Sequence, residues 1–208
     1  MNKDIFKFEY IKNAKFSENL QFPIFEPCKI VPTDVLAFNY AMTCKNKEKF
    51  FVHFYIDDYQ FERVWNYPDK YTSILSKFAG IIAPDFSTYT NMPIAQQIFQ
   101  VYKSRLLAYY WQSLGFNVIP NLSWSTLDSL DWSLEGIPKH SIVALSTNGV
   151  LNKKTKTQFI ECYKKAIKIL EPKKVIIIGE VPTEIQSDNI IAFENNILNR
   201  LRNLQRKV

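Results

Sequence analysis

Gly80–Pro93, GIIAPDFSTYTNMP, begins as a buried strand and ends as a binding loop. Ile81, Ile82 and Ala83 form a short apolar run of strand length. Pro84 stops the pattern, and Asp85, Phe86, Ser87, Thr88 and Tyr89 place polar and aromatic groups just beyond it. A core strand that finishes in hydrogen-bonding side chains is what an α/β sheet produces where its strand ends carry a site.

The same rhythm continues on both sides. VLAFNYA (Val35–Ala41) and FFVHFYI (Phe50–Ile56) read as strands, rich in β-branched and aromatic residues between polar turns. PDKYTSILSKFA (Pro68–Ala79) opens with Pro at a first helical turn and spaces its apolar residues for a helix. Met92–Gly115 predicts a long helix, with Pro93 at its start and Gly115 at its end. Strands follow at Phe116–Trp124 and Ser141–Thr147, with a short helix near Ser129–Leu134 between them. Lys156–Pro172 is an amphipathic helix closed by Pro, leading to strands at Lys174–Gly179 and Asn189–Phe193 and then to a basic terminal helix.

Short apolar strands alternating with helical crossovers predict an α/β domain with mainly parallel strands. About seven strands in 208 residues suit a small, irregular (βα) barrel-like domain, trimmed from the roughly 250 residues of an eight-fold barrel. An open doubly wound sheet is the alternative. Residues 1–33, punctuated by Pro23, Pro27 and Pro32, read as an N-terminal arm, and 34–208 as one α/β domain.

Five predicted strand ends run into polar residues. The first gives Asp57 and Asp58, the second Asp85, Ser87 and Tyr89, and the third Asn121, Ser123 and Trp124. Ser146, Thr147 and Asn148 follow the fourth, and Glu180 the fifth. Turns favour Asp, Asn and Ser in any protein. Repetition at one edge of a parallel sheet is what predicts a shared pocket. Asp58, Asp85 and Glu180 are the candidate acid–base carboxylates, if their environments separate their pKa values. Trp65, Tyr89 and Trp124 are candidate rings for stacking on a base or sugar. Arg63 is a candidate partner for the carboxylates, and Arg105 or Lys103, on the long helix, for a phosphate.

Composition excludes several classes. The longest apolar runs are too short to span a bilayer, and MNKDIFKFEY carries charges where a signal peptide needs an apolar stretch. A chain free of membrane, in the cytoplasm, is expected. Cys28, Cys44 and Cys162 match neither a disulfide framework nor a zinc motif. With two histidines and five glycines, neither a metal centre, a Gly-rich phosphate loop nor a cofactor is predicted. The net charge of +6 leaves nucleic-acid binding as a lesser reading, through the lysines near Asn152–Phe159 and the final Leu198–Val208.

The blocks FYIDDYQFERVWNYPDKY, APDFSTYTNMPIAQQIFQVYKSR, YYWQSLGFNVIPNLSWS, SLEGIPKHSIVALSTNGV and LEPKKVIIIGE resemble, in that order, the DUF4417 family. The resemblance covers roughly Phe51 to Glu180. It implies a domain of unknown function in a phage or mobile-element setting, hence a host cytoplasm. In the helix block the family pattern has an Asn before Thr-Tyr-Arg and a Gly before the paired aromatics. Here Gln100, Val101, Tyr102 and Lys103 stand at the first place and Ala108 at the second.

Three functions follow as expectations. The first is a phage or mobile-element protein that binds a small nucleotide-like ligand at the strand ends and so sequesters a host defence signal. The alternatives are a carboxylate-dependent hydrolase of a glycosidic or phosphoester bond, and a nucleic-acid binding module. A homo-oligomer is compatible with each.

Overall fold

The structure, a computed structural model, describes residues 4–150 and 153–194, with side chains at 4–150 and 155–194. Among the described residues, seven parallel strands follow one another in chain order. The first sheet has the order β1 (Val35–Ala37), β2 (Phe51–His53), β3 (Gly80–Ile82) and β4 (Val118–Ile119), and the second β5 (Ile142–Ser146), β6 (Lys174–Ile178) and β7 (Ile190–Phe193). Helices α1 (Asp58–Asn66), α2 (Pro68–Leu75), α3 (Ile94–Ser113), α4 (Leu130–Ser133) and α5 (Lys153–Leu170) fill the crossovers.

Strand alternation sorts the core into layers. Val35, Phe51, Ile82, Ile119, Ile142, Ala144, Ile176 and Ile178 form one inner cluster, and Ile191 and Phe193 of β7 pack against it. Their strand neighbours face outward. Val52, Ile81 and Val118 meet α1, α2 and α3 through Phe61, Leu75, Leu107 and Trp111. Val143, Leu145, Val175 and Ile177 meet α5 through Cys162, Tyr163 and Ala166. All seven strands therefore curl around a common interior, as the barrel-like expectation requires, but the barrel does not close. Among the described residues β7 is not paired with β1, and the arrangement is two open parallel sheets.

The sheets part at Pro120. This residue has no N–H to donate, and the strand leaves the ladder there. Only Leu122 N–H to the Ala144 carbonyl (2.7 Å) and Ala144 N–H to the Pro120 carbonyl (2.9 Å) join β4 to β5. The expected strand Phe116–Trp124 is thus two residues long, and Asn121–Trp124 is freed to turn over the strand ends. Val35–Ala41 is likewise shorter than expected, since Phe38–Tyr40 winds into a 3₁₀ turn.

The sequence reading assigns no element to 58–66, where α1 begins only five residues after β2 ends. Its signals were Asp58 in the first turn, favourable to the helix dipole, and Phe61 and Val64 at a spacing of three, both fully buried. The lead-in is tied down at several points: Ile11 and Phe25 enter the outer cluster and Cys28 the inner one. Backbone N–H groups of Asn19 and Leu20 donate to Glu135 Oε1 at 2.9 and 2.8 Å. No helix of the described residues is long and apolar enough to cross a membrane. The basic segment after Glu194 lies outside the described residues.

Candidate functional site

A cavity of about 570 Å³ opens over the C-terminal ends of β2, β3, β4 and β5. That volume is in the range that holds a small molecule. Tyr55, Ile56 and Asp57 reach it after β2, with Gln60 from α1. Asp85, Ser87, Thr88 and Tyr89 come from the loop after β3, and Leu122, Ser123 and Trp124 from the turn beyond Pro120. Leu145, Ser146 and the Asn148–Val150 loop complete it, with Phe159 of α5 beneath Trp124 at a ring separation of 5.6 Å.

Asp85 is the chemical centre of this lining. It is half-buried, and its Oδ1 accepts a hydrogen bond from Asn121 Nδ2 at 2.8 Å. Asn121 Oδ1 in turn accepts from the Tyr55 hydroxyl at 2.9 Å, so the three side chains form a chain with a fixed direction. Burial, with a further push from the nearby Asp58 charge, raises the Asp85 carboxyl to about 7, against the pull of the Asn121 hydrogen bond. Burial, then the charge of Asp85, also holds the Tyr55 hydroxyl well above the usual phenol range. A carboxyl that titrates near neutrality in a cleft is suited to proton transfer or to a switchable hydrogen bond.

Ser87 is fixed by Asp58, which accepts from its backbone N–H at 3.1 Å and from its hydroxyl at 2.8 Å. Asp58 therefore shapes the β3 loop from behind. The Ser146 hydroxyl donates to the Ile178 carbonyl at 3.1 Å while accepting from Asn148 N–H at 3.0 Å. The Asn148 side chain donates to the Tyr55 carbonyl at 3.3 Å.

Of the candidate site residues, Asp57, Asp85, Ser87, Tyr89, Ser123, Trp124 and Ser146 line the cavity. Asp58 and Asn121 stand directly behind them. The others are elsewhere. Arg105 is fully buried with its guanidinium on the carbonyls of Ser133 (2.7 Å), Asn121 (3.3 Å) and Glu135 (3.4 Å), and burial lowers it to about 9. It is placed to hold the β4 turn against α4, not to meet a phosphate. Lys103 pairs with Glu62 at 2.9 Å above the Phe86 ring.

Arg63 lies over the rings of Phe38 and Tyr71, with 5.3 Å to the nearer centroid, and Trp65 packs edge-on against Phe99. Thr147 packs against Gly179, where a Cβ would meet its hydroxyl at 2.3 Å, and Glu180 is exposed after β6. Asn148, expected after the fourth strand, also lines the cavity, whereas Tyr55 and Gln60 are lining residues that the sequence reading missed. Tyr55 follows an inward alternation from Phe51 and His53, which was the available signal. Among the described residues no group of three His, Cys, Asp or Glu could hold a metal ion.

A family model described as "Domain of unknown function (DUF4417)" matches residues 14–196. Two curated relatives bear the name Gene 1 protein. That of Mycobacterium phage L5 is 37% identical over 142 residues, which cover 66% of this chain and 61% of that protein. That of Mycobacterium phage D29 is 34% identical over 144 residues, 66% of this chain and 52% of that protein. The matched part thus spans between half and about three fifths of these relatives. No solved structure matches the chain.

Proposed function

Because the chain belongs to the DUF4417 family, and its curated relatives are phage proteins, we propose that it is a phage-associated binding protein that holds a small nucleotide-like ligand in the strand-end cavity. The observation that carries this reading is the convergence of four strand ends on one cavity with aromatic, hydroxyl and carboxyl groups in its wall. Trp124 and Tyr89 offer ring faces for a base, and Asp57, Asp85 and the serines offer acceptors for ribose or base donors. In a host cytoplasm such a protein would sequester a signalling nucleotide and blunt a defence response.

The test is incubation of the purified chain with a panel of linear and cyclic nucleotides, followed by mass spectrometry of the filtrate before and after heating the protein. A nucleotide that disappears from the filtrate and returns unchanged supports sequestration. Full recovery of every nucleotide at micromolar protein sinks it.

One observation favours a second reading. The Asp85 carboxyl, raised to about 7, shares the cavity with Asp57 and so has the makings of an acid–base pair for hydrolysis. A nucleotide that returns as a new mass, with turnover abolished in Asp85→Asn while binding persists, would replace sequestration by catalysis.

A further inference from the structure

The hydrogen-bonding polarity of the cavity wall narrows the ligand further. A hydroxyl has one proton to give and two lone pairs to receive. Three hydroxyls of the wall have already given theirs: Tyr55 to Asn121, Ser87 to Asp58 and Ser146 to the Ile178 carbonyl. What they can still offer an occupant is lone pairs. Asp57 and Asp85 add two carboxyl groups, and Asp58 stands directly behind Ser87.

No Lys, Arg or His is among the described residues lining the cavity. The cations that the sequence placed in reach of it are engaged elsewhere. Arg105 is closed in by three carbonyls, Lys103 is paired with Glu62, and Arg63 lies over Phe38 and Tyr71. The donors left in the described wall are neutral ones, such as the Trp124 indole and the Ser123 hydroxyl.

A phosphate only accepts hydrogen bonds and carries charge of the same sign as the wall. It would meet lone pairs and carboxylates with no Lys, Arg or His of the described lining to offset them. Ring N–H, amino and sugar hydroxyl groups are the complementary partners. Resting on the nucleotide-like reading above, we infer that the cavity takes the uncharged nucleoside part of its ligand, base and ribose with their N–H and O–H donors, and leaves any phosphate outside. The class of ligand is thus a donor-rich purine or pyrimidine nucleoside, free or as the inner end of a nucleotide. The raised carboxyl of Asp85 agrees with this, since its ionised form accepts from ring N–H groups and its protonated form gives a proton to a ring nitrogen.

The test is isothermal titration calorimetry on the full chain at low salt, with guanosine, adenosine, cytidine and uridine and their 5′-monophosphates as probes. At least one nucleoside is expected to bind with a Kd within threefold of its own monophosphate, or tighter. Monophosphates that all bind tenfold or more tightly than their nucleosides would overturn the inference and leave the nucleotide reading standing. Absence of heat from every probe up to millimolar concentration would overturn both.

Discussion

Asn121 donates to Asp85 across 2.8 Å, from the turn after β4 to the loop after β3. The bond joins two loops that the sequence separates by 36 residues, and it opposes the burial that raises the carboxyl. Asn121→Leu removes it together with the acceptor of the Tyr55 proton. Two polar groups are then left without partners, and the expected loss of stability is roughly 2 kcal/mol or more. The Asp85 carboxyl should titrate above its present value of about 7, which a ¹³C carboxyl NMR titration would follow. A fall instead would mean that Asn121 is not what restrains it.

Asp85 also ties stability to pH. Its carboxyl rises from an ordinary 3.8 to about 7 on folding, so between those values the folded chain holds a proton that the unfolded chain has released. Stability therefore falls as pH rises through that window, and the penalty is complete above it. His53 acts in the opposite sense: burial lowers it from 6.5 to about 4, so its contribution grows as pH rises between those values. The wild-type curve mixes the two. The difference between wild type and Asp85→Asn isolates the carboxyl, and urea melts at pH 4, 6 and 8 should show the variant gaining progressively, by roughly 2 to 4 kcal/mol in all. A difference that is flat with pH would refute the assignment.

Gly80 and Phe51 are register partners on β3 and β2, and a Cβ on Gly80 would stand 2.1 Å from the Phe51 ring. Gly80→Ala should cost about 1 to 3 kcal/mol through overpacking of the inner layer. Phe51→Leu in the same chain should return part of that loss, so a double-mutant cycle by chemical denaturation is expected to show coupling of about 1 kcal/mol. Strict additivity would mean that the ring moves aside freely.

Arg105→Lys should be poorly tolerated even though the charge is kept. A lysine ammonium reaches the same three carbonyls only as a point donor, without the planar fork. The expected loss is about 3 kcal/mol, read as a lowered denaturation midpoint, with the Asn121 turn losing amide protection first. Unchanged exchange at Asn121 and Leu122 would separate Arg105 from the site.

For the binding site itself, Trp124→Ala should weaken any ring-bearing ligand by about tenfold or more, in keeping with the energy of one base on one aromatic face. Calorimetry on the ligand found in the screen would check this, with Leu127→Ala, an exposed position outside the cavity lining, as the control.

The alternation of strands and helices was legible because it is local: β-branched runs, Pro at helix starts and helical periodicity each act within a dozen residues. The polar strand ends were legible for the same reason, and Asp85, Ser87, Ser123, Trp124 and Ser146 do meet in one wall. Arg105 was not, because its fate depends on carbonyls 16, 28 and 30 residues further along the chain. Nor could the sequence show that three wall hydroxyls had given away their protons, since that is a property of partners on other elements. Closure of the barrel was equally hidden. It turns on whether β7 reaches β1, and nothing in either strand encodes that distance.

The break at Pro120 has a mechanical side. Two backbone hydrogen bonds are all that continue the ladder from β4 to β5, and the cavity straddles that joint, with walls from β2, β3 and β4 on one flank and β5 on the other. A molecule seated there touches both flanks at once and works as a clamp across the break in the ladder. A ligand that binds only the folded chain stabilises it by mass action, so occupancy should raise the melting temperature with ligand concentration. The empty chain should start to come apart between Pro120 and Ala144, where hydrogen exchange would see the first opening.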